Sequence, residues 1–244
     1  MKFTYKAVVF DWAFTLVDLG DENDLPPFKA MHQSMQERGW EAPAFDDFYS
    51  RFKTSFRNLI QQSRKSHQEA RFEDVLKSFL ISHRLPSESD QDLKELMTVY
   101  YKKTYERRKV YGDVTPTLEA LRQQGIPMGI ISNTTNPEFM KAYERSQCGL
   151  DAYFNFAVYS SSVPYRKPHP SIFQIAIERL NLPSHEILYV GDNPAADIVG
   201  SQSAGMKAVW LNRDNSVLPD SIRPDYEINS LSEILSLNGA SIHS

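Results

Sequence analysis

Short apolar runs bounded by turn residues constrain this chain more than any other feature. They fall at residues 6–11, 126–131, 152–160, 186–190 and 207–211, with a weaker one at 225–228. Amphipathic helical patterns separate the later runs: Ile172, Phe173, Ala176, Ile177 and Leu180 recur at the spacing that lines one face of a helix. Strands apolar on both faces belong inside a parallel sheet, and strand–helix alternation supplies the crossovers such a sheet needs. The expected fold class is therefore α/β, with a Rossmann-like parallel sheet as its core.

The wide gap between the first and second runs has a different character. From about 20 to 107 the chain is rich in large apolar residues at helical spacing, among them Phe28, Met31 and Met35; Phe45, Phe48, Phe52 and Phe56; Val75, Phe79 and Leu80; and Leu93, Leu96, Met97 and Tyr100. A block this long is no loop and needs a core of its own. The sequence thus predicts a smaller all-α cap at 19–107, inserted after the first strand of a core made of 1–18 and 108–244. Two chain crossings would join them, near Asp18–Asp24 and near Arg107–Asp113. The tail after Leu237 is expected to fray.

With 41% hydrophobic residues the chain can bury a substantial core. Its net charge is only -4, and Lys and Arg form no long run, which disfavours a nucleic-acid partner. No apolar stretch approaches membrane-spanning length, and the N-terminus lacks the apolar segment and cleavage site of a leader, so a cytoplasmic protein without membrane attachment is expected. The single cysteine, Cys148, forms no internal disulfide, and the six histidines show no zinc-ligand spacing. Nothing in the sequence sets an oligomeric state.

Three dipeptides, Thr115-Pro116, Asn136-Pro137 and Asn193-Pro194, pair a capping residue with a proline suited to the first helical position. Two of them directly follow strand ends, where helix N-termini would face the C-terminal edge of the sheet and favour an anion. Polar residues gather at the same edge. Asp11 and Thr15 close the first run, Ser132 and Asn133 close the second, Lys167 sits in Tyr165-Arg166-Lys167-Pro168, and Asp192 ends Ile187–Asp192 with Asp197 just beyond. In an open α/β sheet such ends converge. Asp11, at the end of an apolar strand, is costly to bury unless used or paired.

These four segments in order, with Gly191–Asp197 and Ser203–Met206, resemble the haloacid dehalogenase superfamily over about residues 6–18 and 113–212. The helical insertion matches that superfamily's cap in position and type. The resemblance implies that Asp11 attacks phosphorus and forms an aspartyl-phosphate. It also implies Mg²⁺ held by Asp11, the Ala13 carbonyl and Asp192, with Asp197 orienting the metal shell. Lys167 would cancel charge on the nucleophile and the transferring group, while Ser132 and Asn133 bind the phosphoryl oxygens. The substrate would be a small phosphorylated metabolite, and Trp12, Thr15, Asn133 and Lys53 are the candidates for contacts with it.

Position 13 departs from the pattern. Most phosphatases of the superfamily have an aspartate there that protonates the leaving oxygen and later activates water; Ala13 does neither. Three readings stay open. Another group or a good leaving group compensates and the chain remains a phosphohydrolase; or, since Asp11-Trp12-Ala13-Phe14-Thr15 is similar to the phosphonoacetaldehyde hydrolases, Lys53 of the cap forms a Schiff base; or the protein binds a phosphorylated ligand without turnover. Dehalogenation fits less well, because dehalogenases of the superfamily act without Mg²⁺ and have no need of Asp192 and Asp197. A basic cluster in the cap, comprising Arg51, Lys53, Arg57, Arg64, Lys65 and His67, either faces an anionic substrate or forms a solvated helix face. Trp12 either shapes the leaving-group pocket or packs beneath the cap.

Overall fold

The structure, a computed structural model, describes residues 4–21, 23–86 and 89–238. The apolar runs form β1 (Ala7–Phe10), β4 (Met128–Ser132), β5 (Phe156–Tyr159), β6 (Ile187–Gly191), β7 (Lys207–Leu211) and β8 (Tyr226–Ile228). They build one parallel sheet in the order β5-β4-β1-β6-β7-β8. Alternation along β1 divides the core in two. Val8 and Phe10 face the side covered by α5 (Val114–Gln123) and the turn at 231–236; Ala7 and Val9 face the side covered by α7 (Pro170–Leu180), which contributes Ile172, Phe173 and Ala176. Burial on both faces explains why the strands read as unbroken apolar runs. Close approach of strands also dictates a small residue in β4: a Cβ on Gly129 would lie 2.2 Å from the ring of Phe156 in β5.

Between β1 and β4 the chain forms a short antiparallel ribbon of β2 (Val17–Asp18) and β3 (Lys109–Val110), paired Val17 to Val110 and Asp18 to Lys109. Both predicted crossings therefore run side by side as one two-stranded stem. Beyond the stem lie α1 (Leu25–Glu37), α2 (Phe45–Ser66), α3 (Phe72–Ser82) and α4 (Asp90–Tyr105). Their apolar faces meet in a separate core in which Phe28 touches Phe48, Phe52 and Tyr100 edge-on, with ring centroids 5.0–5.9 Å apart. Met140 of α6 (Glu138–Gln147) joins this cluster from the sheet side. None of the described helices is long and apolar enough to cross a membrane. The tail expected to fray lies almost wholly outside the described residues.

One helix start follows the expected device and two do not. Asn193 caps the turn that Pro194 opens, its side chain accepting from Ala196 N at 3.0 Å. The first helix instead starts two residues early, at Val114 behind Asp113, and Pro116 falls inside the first turn, where a missing N–H costs nothing. The second starts at Glu138 behind Pro137, because the Asn136 amide turns away to donate to the Tyr105 hydroxyl at 2.8 Å.

Candidate active site

Strand ends and one crossover loop deliver the candidate residues to a single edge of the sheet. The Asp11 N–H donates to Val190 O at 2.9 Å, so strand pairing carries its carboxylate just past β1. The chain then turns sharply. Phe14, 41% exposed, takes φ of 59°, a left-handed conformation unfavourable for a non-glycine residue, and Leu16 N donates back to Trp12 O at 3.0 Å. The turn returns Thr15 to the sheet, where its Oγ1 donates to Asp192 Oδ1 at 3.1 Å. The Trp210 indole, in β7, donates to the Asp192 carbonyl at 2.9 Å and holds the end of β6 in place.

Asp197 lies in a wide π-type turn, Pro194–Ile198, that leads into α8 (Val199–Ser203). Gly191 makes room for it: a Cβ there would sit 2.4 Å from the Asp197 carboxyl carbon. The Asn193 N–H donates to Asp197 Oδ2 at 3.0 Å. Lys167 arrives from the loop before α7, and Asn133 grips it from both sides, accepting from Lys167 N at 2.8 Å and donating to Lys167 O at 2.9 Å. The Asn133 amide is thus engaged in positioning the lysine, a role the sequence did not suggest for it.

The Lys167 ammonium, 3% exposed, donates to Asp11 Oδ1 and Asp197 Oδ1, each at 2.6 Å, and to the Tyr189 hydroxyl at 2.9 Å. Burial works against its charge, yet Asp11 and Asp197 outweigh that and hold it above the usual lysine range. Three carboxylates nevertheless share one ammonium. Burial, then the charges of Asp11 and Asp197, push Asp192 up to about 8; burial also raises Asp197 despite Lys167 beside it. Carboxylate oxygens of Asp11, Asp192 and Asp197 lie within 4.8 Å of one another. Hard oxygen donors carrying uncompensated negative charge fit a divalent cation.

Beside this cluster lies a cavity of about 380 Å³ between sheet edge and cap. Trp12, Ala13, Ser132 and Asn133 form its floor; Arg64, Glu69, Arg108, Lys141, Glu144 and Arg166 supply its charged walls. Ser132, almost fully buried, ends β4 at this floor, as its place in the sequence suggests. Trp12 lines the cavity while belonging to the core of the sheet domain, with the Lys141 ammonium 5.2 Å from its ring centre. Most of the walls escaped sequence reading. Of the wall residues the sequence singled out Arg64 alone, as one of the basic cap cluster; Glu69, Arg108, Lys141, Glu144 and Arg166 carry no such signal.

Lys53 is not in this company. It lies on α2 with Nζ 2.8 Å from the Tyr49 hydroxyl and 3.1 Å from Asp24 Oδ2, outside the cavity walls. Hydrogen bonds to Tyr49 and then Asp24 raise its ammonium above the ordinary range, the opposite of what a Schiff-base amine needs. The structure does not bring Lys53, expected to contact substrate, to this cavity: tertiary folding turns it toward Asp24 at the start of α1. Of the basic cluster in the cap, Arg64 alone is among the cavity walls. Arg51 pairs with Asp47 one helical turn away at 2.6 Å. Replacing Lys53 by Ala is expected to leave turnover unchanged and to alter stability by no more than about 1 kcal/mol, the usual worth of an exposed pair; parallel kinetics and thermal melts check this.

The family model for haloacid dehalogenase-like hydrolases matches residues 8–211, which take in every strand from β1 to β7 and the helical insertion. The chain belongs to this family. It is 33% identical over 162 residues to a glyceraldehyde 3-phosphate phosphatase of Methanopyrus kandleri, covering 64% of this chain and 68% of that one. It is 32% identical over 150 residues to the pyrophosphatase PpaX of Bacillus mycoides, covering 59% and 68%. Among solved structures, a HAD phosphatase from Thermococcus onnurineus superposes with a TM-score of 0.69 at 29% identity, covering 98% of this chain and all of the other. A 2-haloacid dehalogenase from Pseudomonas syringae gives 0.75 at 25% identity, covering 96% and 98%. This haloacid dehalogenase-like chain is accordingly a hydrolase, and both of the curated relatives named above are phosphatases by name.

Proposed function

We propose that this hydrolase is a Mg²⁺-dependent phosphohydrolase of small phosphorylated molecules, acting through an aspartyl-phosphate on Asp11. The observation that carries the proposal is the cluster of Asp11, Asp192 and Asp197 around a single ammonium, next to a cavity with cationic walls that is floored by the adjoining Trp12 and Ala13. Asp11, the Ala13 carbonyl and Asp192 would hold the metal, with Asp197 orienting its shell from behind. When bound, the metal supplies charge neutralisation between the carboxylates and the incoming phosphoryl group. A glyceraldehyde 3-phosphate phosphatase and a pyrophosphatase among the relatives support a small phosphorylated substrate.

The remaining roles follow from placement. Lys167 holds Asp11 Oδ1, which leaves the second carboxylate oxygen of Asp11 to attack phosphorus, and its positive charge offsets the repulsion between carboxylate and phosphoryl dianion. Ser132 and the backbone that follows it face the phosphoryl oxygens. Asn133 and Tyr189 keep the lysine aimed; Thr15 does the same for Asp192. In this reading residues 19–107 act as a lid on the core of 1–18 and 108–244, the β2–β3 stem being its attachment. Three clustered carboxylates also argue against dehalogenation, which brings no cation to balance them.

Phosphate release from a panel of esters and anhydrides, with Mg²⁺ and then with EDTA, tests the proposal; turnover must appear only with the metal. Binding alone has a separate signature. At a metal concentration about 100-fold above Kd, stabilisation of about 2.7 kcal/mol is expected, which for a chain of this size raises Tm by about 5–10 °C. Asp192→Asn should remove most of that rise in differential scanning fluorimetry. An equal rise in the variant would exclude Asp192 as a ligand.

A further inference from the structure

The cavity beside Asp11 is rich in cations and poor in acids. Glu69 is enclosed by donors: its Oε1 accepts from Ala70 N at 3.0 Å and Arg166 at 3.3 Å, its Oε2 from the Ser160 hydroxyl at 2.6 Å. Glu144 accepts from the Lys141 ammonium through one oxygen and from Arg108 Nε at 3.2 Å through the other. A carboxylate whose oxygens all receive hydrogen bonds has no proton to give. The remaining floor residue next to the nucleophile, Ala13, is a methyl group. Among the described residues lining this cavity there is no carboxylic acid that can protonate a departing oxygen.

The walls are instead suited to a leaving group that is already an anion. Arg64, Arg108, Lys141 and Arg166 contribute four positive charges against the two of Glu69 and Glu144. Lys141 is occupied by Glu144 and lies between the rings of Trp12 and Tyr159, 5.2 and 5.8 Å from their centres. Arg64, from the exposed face of α2, brings its charge to the cavity from the cap side.

We infer that the substrate is a phosphoric anhydride or an acyl phosphate rather than a phosphate ester of an aliphatic alcohol. The inference rests on the reading of Asp11 as nucleophile. An Asp11 oxygen forms a bond to phosphorus while the bond from phosphorus to the bridging oxygen breaks. That oxygen keeps the electron pair and leaves as a phosphate or carboxylate, stable at neutral pH without a proton. Water then attacks the aspartyl-phosphate, yielding free Asp11 and inorganic phosphate and losing its proton to solvent. An alkoxide leaving group would need the acid that this cavity lacks, a deficit of about 10²–10⁴-fold. The wall cations stabilise the anion as it departs.

A leaving-group series on the full chain with Mg²⁺ tests this: acetyl phosphate, inorganic pyrophosphate, p-nitrophenyl phosphate and ethyl phosphate, each assayed on the parent and on Ala13→Asp. The parent should turn over the first two at least about 100-fold faster, in kcat/KM, than ethyl phosphate, and Ala13→Asp should raise ethyl phosphate hydrolysis by about 10-fold or more and so narrow that ratio. Ethyl phosphate hydrolysed by the parent as fast as acetyl phosphate overturns the inference while leaving the phosphohydrolase reading intact. If Ala13→Asp does not fold, the parent's series alone decides. Failure of every substrate, with no label on Asp11 from radioactive acetyl phosphate, removes both readings together.

Discussion

Asp11→Asn is expected to abolish phosphate release, with a loss of at least about 10³-fold in kcat, since removing a covalent nucleophile leaves only what positioning and electrostatics contribute. The substitution keeps shape and most hydrogen bonding. Asp197 still pairs with Lys167 at 2.6 Å, so the ammonium is not orphaned and the fold should persist. The melting temperature of the variant should stay near that of the parent while activity vanishes. A variant retaining a tenth of the parent's turnover would show that the carboxylate is not the nucleophile, and the cluster would need another explanation.

Lys167→Met makes the opposite demand on the molecule. Here the fold suffers first. The ammonium is the partner of two buried carboxylates, Asp11 and Asp197, which are 7% and 1% exposed. Removing one member of a buried ion pair leaves uncompensated charge in a poorly solvated site and costs about 3–5 kcal/mol. Chemical denaturation should register a loss of that size at neutral pH, together with loss of turnover. Since three carboxylates then lack any cation, Mg²⁺ should stabilise Lys167→Met more than it stabilises the parent. Unchanged stability without the metal would mean that the network contributes nothing to the native state.

Much of the architecture is legible in the sequence because it depends on short-range rules. Strands buried on both faces must be apolar throughout, so β1, β4, β6 and β7 announce themselves as runs. The helical cap is legible for the same reason, its large apolar residues recurring with the helical period. Asp11 and Asp192 stand where apolar segments end, with Asp197 just beyond, and a parallel sheet brings such ends together.

Other features were not legible because they depend on partners distant in sequence. Nothing near Asn133 shows that its amide will hold Lys167, and nothing near Lys53 shows that Tyr49 and Asp24 will claim it. The helix start at Glu138 shifted by a residue because the Asn136 side chain had a better partner in Tyr105, contributed by the last helix of the cap. A capping preference is worth about 1 kcal/mol, which one tertiary hydrogen bond can match.

By itself the sequence determined a parallel sheet, an inserted helical block and the carboxylates and lysine at one sheet edge, because backbone periodicity and burial leave few alternatives for apolar runs of that kind. Only the tertiary structure decided what surrounds those residues. Glu69, Arg108, Lys141, Glu144 and Arg166 come from the cap, the stem and the crossover segments, and their charges acquire meaning only where folding sets them around one cavity. Electrostatic character is a property of distances in space, and a polar residue on a helix surface carries no mark in its own sequence of the charge it will face.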